Sequence, residues 1–120
     1  MTETKIRSVI VEDEKAAREV LKNYLTKYCP QVEVIGEAKN IKEAVPLLHE
    51  VKPQLVFLDV EMPFGNAFQL LERIMPVHFE IIFITAFDNY MLKAFKYSAL
   101  DYLLKPVTIE ELVAAVKRAD

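Results

Sequence analysis

The chain has a single cysteine, no excess of basic residues and no long apolar run in its 120 residues. One cysteine excludes a disulfide scaffold, and Cys29 beside Pro30 reads as a helix-end thiol with no redox partner. Fifteen Lys+Arg against 18 Asp+Glu leave a net charge of -3. This segment therefore has no bulk charge for direct nucleic acid binding and no basic patch for an anionic membrane. The longest apolar runs span about four to six residues, far short of the roughly 20 that cross a bilayer. The opening Met1-Thr2-Glu3-Thr4-Lys5 lacks the apolar core of a signal peptide, which makes the cytoplasm the expected compartment. His49 and His78 lack ligand spacing and read as surface residues. No repeat, low-complexity stretch or linker divides the chain, so one domain over 1–120 is expected.

What is present suits a packed core: 52% hydrophobic and 28% charged residues in 13.8 kDa. Five short strands alternate with five helices. Ile6 to Val11 is a β-branched run that ends in Glu12-Asp13-Glu14. Ala17, Val20, Leu21, Tyr24, Leu25 and Tyr28 then recur at helical spacing, and Pro30 stops that helix. Val32 to Ala38 is a second strand, and Asn40 with Glu43 marks a capped helix carrying Ile41, Ala44, Val45 and Leu48 inward. Pro46 inside it predicts a kink or a late start, since an interior proline costs about 3 kcal/mol. Leu55 to Leu58 is a third strand ending at Asp59, followed by a Pro63/Gly65 loop and an Asn66/Gln69 cap for a helix running to Pro76. Ile81 to Ile84 is a fourth strand ending at Thr85. Asp88 is a candidate cap for a helix that turns Met91, Ala94 and Phe95 inward. Leu100 to Leu104 is the fifth strand, ending at Lys105-Pro106, and Thr108/Glu111 form a capping box for a helix with Leu112, Val113 and Val116 inward.

Strands one, three and four are continuous apolar runs rather than alternating ones, which marks burial on both faces. Strict alternation with helices implies parallel strands and right-handed crossovers. The expected fold is α/β: a flavodoxin-like (βα)5 doubly wound sandwich around a five-stranded parallel sheet of order 2-1-3-4-5. All strands then end on one edge, and ligands bind where the order reverses. Glu12 and Asp13 follow strand one, Asp59 strand three, Thr85 strand four and Lys105 strand five. Alone, each has an ordinary explanation as a cap, a turn residue or a surface lysine. Together, four of five strand ends carry a charged or reactive group. Carboxylates about 4–5 Å apart repel by roughly 3–4 kcal/mol per pair, so such a cluster calls for a cation. Hard oxygen donors in an open cleft suit Mg²⁺, and a carboxylate among them can serve as the nucleophile that forms an aspartyl phosphate. The Lys105 ammonium and the Thr85 hydroxyl supply further ligands for phosphoryl oxygens.

Four stretches in order, each at a strand end, carry a family resemblance. They are Val9-Ile10-Val11-Glu12-Asp13-Glu14, Leu58-Asp59-Val60-Glu61-Met62-Pro63, Ile84-Thr85-Ala86 and Asp101-Tyr102-Leu103-Leu104-Lys105-Pro106. Over about residues 6–119 the chain resembles the receiver domain of bacterial two-component response regulators. The stretch from Thr85 to Tyr102 most resembles receivers joined to LytTR-type DNA-binding domains. The resemblance implies Asp59 as phosphoacceptor and Thr85 and Lys105 as ligands of the phosphoryl group. It implies a Mg²⁺ site of Asp13, Glu12 (through water), Asp59 and the backbone carbonyl of Glu61. Tyr102 would be the aromatic switch that turns inward when Thr85 moves, and Lys105–Pro106 would be cis.

Further implications concern partners: a sensor histidine kinase or small acyl phosphate as donor, an output domain outside this chain, and a homodimer on activation. The switching face would comprise helix four, strand five and helix five, including Lys93, Lys96, Tyr97 and Lys117. Three departures stand out. Glu12 replaces a commoner aspartate, Asn66-Ala67 replaces an Asp-Gly pair, and Pro46 interrupts helix two. Glu61 and Phe87 flank the site and are candidates for tuning hydrolysis. Three other readings share the fold class or site: a flavodoxin-like electron carrier, an interaction module without phosphorylation, and a phosphatase of the haloacid-dehalogenase type. Acids where a flavin phosphate loop would lie disfavour the first, the intact acid and lysine set disfavours the second, and Glu61 in place of a second aspartate disfavours the third.

Overall fold

The structure, a computed structural model, describes residues 5–119. Residues 1–4, most of the opening that lacks a signal peptide's apolar core, and Asp120 lie outside the described residues. Strands β1 (Ile6–Val11), β2 (Val32–Ala38), β3 (Leu55–Leu58), β4 (Glu80–Thr85) and β5 (Asp101–Leu104) form one parallel sheet in the order β2-β1-β3-β4-β5. Helices α1 (Lys15–Tyr28), α2 (Ile41–Val51), α3 (Ala67–Ile74), α4 (Met91–Lys96) and α5 (Ile109–Ala119) connect them. The flavodoxin-like doubly wound sandwich expected from the alternation is what forms. A short antiparallel ribbon, Glu61–Met62 with Gly65–Asn66, occupies the region read as a plain loop.

The continuous apolar runs are explained by two cores. Successive side chains of a strand point to opposite faces. Val9, Val11, Val56, Leu58, Ile81 and Phe83 face α2 and α3, whereas Ile10, Phe57, Ile82 and Ile84 face α1 and α5. Each large side chain so buried contributes roughly 1.5–3 kcal/mol of hydrophobic stabilisation.

Capping follows the sequence closely. Asn40 Oδ1 accepts from the Glu43 amide at 2.9 Å, and Asn66 and Gln69 form a reciprocal box at 3.0 and 2.8 Å. Thr108 Oγ1 accepts from the Glu111 amide at 3.1 Å, but the Glu111 carboxylate takes the Thr108 hydroxyl instead of its backbone, so that box is only half made. Lys105–Pro106 is cis, and so is Met75–Pro76.

Three local expectations are corrected. Helix α2 begins at Ile41 and runs through Pro46, so there is no late start. Pro46 and Lys42 are both exposed, and water can take the carbonyl that the proline leaves unpaired. Val20 and Tyr28 of α1 are 46% and 42% exposed; Leu21 and Leu25 carry its buried stripe. Asp88 does not cap α4: Tyr90 occupies the N-cap position with no side-chain cap, and Met91 and Phe95 are exposed. Two stripes at helical spacing competed there. The one that won is Tyr90, Ala94 and Tyr97, because both phenol rings stack on Phe68, at 5.9 and 5.5 Å between centroids.

Candidate functional site

Each strand-end residue is fixed by one hydrogen bond that continues a sheet ladder. The Glu12 amide donates to the Ala38 carbonyl at 2.9 Å, Asp59 to Val11 at 3.0 Å and Lys105 to Thr85 at 2.9 Å. Rigid strands thereby aim these side chains into one crevice at the point where strand order reverses. Glu12, Asp13 and Asp59 offer carboxylate oxygens that all lie within 4.8 Å of one another. Lys105 Nζ reaches Glu12 Oε1 at 2.5 Å, Asp59 Oδ2 at 3.0 Å and Glu14 Oε1 at 3.7 Å. Glu12 and Asp59 are only 5% and 6% exposed.

The electrostatics follow from crowding anions out of water. Burial raises the Glu12 carboxyl from 4.5 to about 7 and the Asp59 charge adds to it, although Lys105 and the Glu14 amide pull it back. Burial would lower Lys105, but its hydrogen bonds to Glu12 and Asp59 outweigh that and raise it, so it is a fixed cation. Asp59 Oδ1 is buried without any hydrogen-bond partner. An orphaned carboxylate oxygen among three acids and one lysine fits a divalent cation: the donors are hard oxygens and the cluster carries excess negative charge.

The remaining expected residues are placed around this centre. Thr85 is fully buried at the end of β4, its Oγ1 accepting from the Phe87 amide at 3.4 Å. Tyr102 is turned inward, 7% exposed, with its ring 5.9 Å from Phe83 and its hydroxyl donating to the Phe87 carbonyl. The Glu61 carboxylate stands apart from the three acids and accepts from the Tyr90 hydroxyl, an interaction that raises the phenol above its ordinary range. His49 and His78 are exposed and Cys29 is a buried helix cap, away from the site.

Two contributors were missed in the sequence. Arg18 Nη1 donates to the carbonyls of Glu12 at 2.7 Å and Asp13 at 3.2 Å, while Glu37 holds its other side at 3.3 Å. It clasps the loop that carries two of the acids. Helical side chains lean toward the N-terminus, so a long cation in the first turn of α1, just after the acids, was a usable signal. Tyr90 had no such signal, because its partner Glu61 is distant in sequence.

Comparison with known proteins decides the family. The family model described as the response regulator receiver domain matches residues 9–117. The chain belongs to the receiver domain family of response regulators. Among curated relatives, an uncharacterized response regulatory protein of Vibrio cholerae is 41% identical over 114 residues, covering 94% of this receiver and 48% of that protein. The transcriptional regulatory protein BtsR of Escherichia coli K12 is 38% identical over 114 residues, with 94% and 47% coverage. This receiver thus spans about half the length of the curated relatives it matches. Among solved structures, the response regulatory domain of protein mrkE from Klebsiella pneumoniae aligns with a TM-score of 0.86 at 27% identity, covering 95% of this chain and 94% of that one. The response regulator domain of Thermotoga maritima CheB aligns at 0.84 and 28%, with 96% coverage of both. The receiver is a component of two-component signalling and not an enzyme in the ordinary sense. Among its described residues no helix is long and apolar enough to cross a membrane.

Proposed function

We propose that this receiver accepts a phosphoryl group on Asp59 and converts it into a change of surface on α4, β5 and α5. The observation that supports it best is the asymmetry of Asp59: Oδ2 is held by Lys105 at 3.0 Å, while Oδ1 is buried and unpartnered among acids. In the transfer an Asp59 oxygen bonds to phosphorus, the bond from phosphorus to the donor breaks, and its electron pair leaves with the donor. Glu12, Asp13, Asp59 and the Glu61 backbone carbonyl are the groups that would hold Mg²⁺. When bound, Mg²⁺ supplies the positive charge that lets two anions approach. Lys105 is already charged and placed to neutralise a phosphoryl oxygen, and the Thr85 hydroxyl can donate to another after releasing the Phe87 amide.

The response is electrostatic first. Phosphorylation adds about -1.5 to -2 of charge at Asp59. That draws Lys105 and Thr85 inward, and the Thr85–Phe87 contact couples the shift to the Tyr102 hydroxyl and to α4. The responding face exposes Leu92, Phe95 and Leu104 beside Lys93, Lys96 and Lys117. Such a face suits an output domain or a second copy after switching.

The donor is a sensor histidine kinase or a small acyl phosphate. An apolar cleft of about 430 Å³, lined by Ala16, Ala17 and Val20 of α1 and by Pro106 and Val107, opens beside Asp59 and suits a kinase helix. The output is transcriptional, through a LytTR-type DNA-binding domain outside this chain, and the protein works in the cytoplasm. The test is intact mass after incubation with acetyl phosphate, with and without Mg²⁺, beside Asp59→Asn. One phosphoryl group gained only with Mg²⁺ and only with Asp59 is the expected result. No gain in a folded protein that binds Mg²⁺ would refute phosphorylation by small donors and favour an interaction module.

A further inference from the structure

The Glu61 carboxylate lies two residues beyond Asp59 yet stays out of the group formed by Glu12, Asp13 and Asp59. It is turned to the Tyr90 hydroxyl, which donates to Glu61 Oε2. Both ends of this bond stand on fixed supports. The Glu61 backbone is paired with Asn66 in the short ribbon after β3. The Tyr90 ring packs against Phe68 at 5.9 Å and meets Phe87 edge-on at 6.3 Å and 78°. Phe87 is in turn the residue whose carbonyl receives Tyr102 and whose amide reaches Thr85. The bond therefore ties the loop carrying the phosphoacceptor to the segment leading into α4.

We propose that Tyr90 is a positioning residue that holds the Glu61 carboxylate away from the water that attacks a phosphorylated Asp59, and so prolongs the phosphorylated state. The inference rests on Asp59 being the phosphoacceptor. In hydrolysis the water oxygen bonds to phosphorus and the bond from phosphorus to the Asp59 oxygen breaks. Its electron pair returns to the carboxylate, and one water proton must leave. A free carboxylate beside the site is a good acceptor for that proton. Glu61 is half-buried, and the Tyr90 hydroxyl is the hydrogen-bond partner that turns its carboxylate away. With Oε2 already accepting from Tyr90, its direction is fixed. A purely packing role for Tyr90 makes a different forecast, because Tyr90→Phe keeps the ring contacts with Phe68 and Phe87 and removes only the hydroxyl.

The chain, Tyr90→Phe, Glu61→Gln and the double variant are each phosphorylated with acetyl phosphate and Mg²⁺, freed of donor, and followed by intact mass. Tyr90→Phe should lose phosphate at least about threefold faster than the parent. In the Glu61→Gln background, where the freed side chain is no longer a base, the same substitution should change the rate by less than about 1.5-fold. That dependence on Glu61 is something a structural role of the ring would not produce. An unchanged or slower loss in Tyr90→Phe, or an acceleration that persists without the Glu61 carboxylate, overturns the proposal while leaving Asp59 as phosphoacceptor. Failure of the parent chain to gain any phosphoryl group overturns that underlying reading and this inference with it.

Discussion

Replacing Asp59 by asparagine should stabilise the metal-free receiver, and the site geometry gives the size. Above about pH 7, where Glu12 is ionised, each of the two carboxylate pairs that involve Asp59, at up to 4.8 Å, is worth at least about 3.5 kcal/mol of repulsion at an effective dielectric near 20. Attraction to Lys105 at 3.0 Å returns about 5.5 kcal/mol on the same scale. Repulsion exceeds attraction by about 1–2 kcal/mol, and the desolvation of a carboxylate that is 6% exposed adds to the cost of keeping the charge. Asparagine retains an oxygen that can accept from Lys105, so one hydrogen bond survives. A net gain of about 2 kcal/mol is expected, which for a domain of this size raises the melting temperature by about 8 °C. The assay is thermal denaturation followed by circular dichroism in EDTA and again in millimolar Mg²⁺. Mg²⁺ at 100 times its dissociation constant would stabilise the parent by about 2.7 kcal/mol, while the variant has lost a ligand, so the gap should close or reverse. A variant that melts at or below the parent in EDTA refutes the repulsion argument. A gap that Mg²⁺ leaves unchanged refutes the assignment of Asp59 to the cation site.

Acidity and backbone geometry supply two further tests. Because burial raises the Glu12 carboxyl to about 7, its ionisation opposes folding: stability is fully present below about pH 4.5 and is lost as the pH rises through 7. Melting temperature in EDTA should therefore fall between pH 5 and 7.5, and Glu12→Gln should flatten that slope; equal slopes in both proteins would remove Glu12 as its source. Gly65 has φ +132°, and a Cβ there would lie 2.6 Å from both Ile41 Cδ1 and Gln69 Oε1. Gly65→Ala should lower the unfolding free energy by about 2–3 kcal/mol in urea, through backbone strain and disruption of the Asn66/Gln69 cap. A loss below about 0.5 kcal/mol would show that the ribbon readily relaxes.

Much of the molecule was legible in one dimension because its signals are local. Runs such as Val9-Ile10-Val11 and Ile81-Ile82-Phe83-Ile84 can be stable only when covered on both faces, and that requirement leads directly to a parallel sheet between helices. The caps at Asn40, Asn66 and Thr108 act over three residues, and each forms a side-chain to backbone bond in the fold. The polar residues that end strands were legible for the same reason, since parallel strands must deliver their ends to one edge.

What failed to appear in the sequence depends on contacts between distant segments. Around helix α4 the spacing turned Met91 and Phe95 inward, whereas the fold exposes them and packs Tyr90 and Tyr97, at the two ends of the helix, against Phe68. Pro46 predicted a kink or a late start, yet the helix begins at Ile41, and the exposure of Pro46 lets solvent satisfy the carbonyl left unpaired. The Arg18 clasp and the Tyr90–Glu61 bond join residues whose types carry no pairing code. The sequence by itself thus determined the strands, the caps at Asn40, Asn66 and Thr108 and the inventory of acids, threonine and lysine at one sheet edge, because these follow from hydrophobic burial and short-range hydrogen bonding. Tertiary structure alone decided which acid is pushed to about 7, which carboxylate oxygen is left without a partner and which phenol faces Glu61, because desolvation and charge pairing depend on distances that only the folded chain sets.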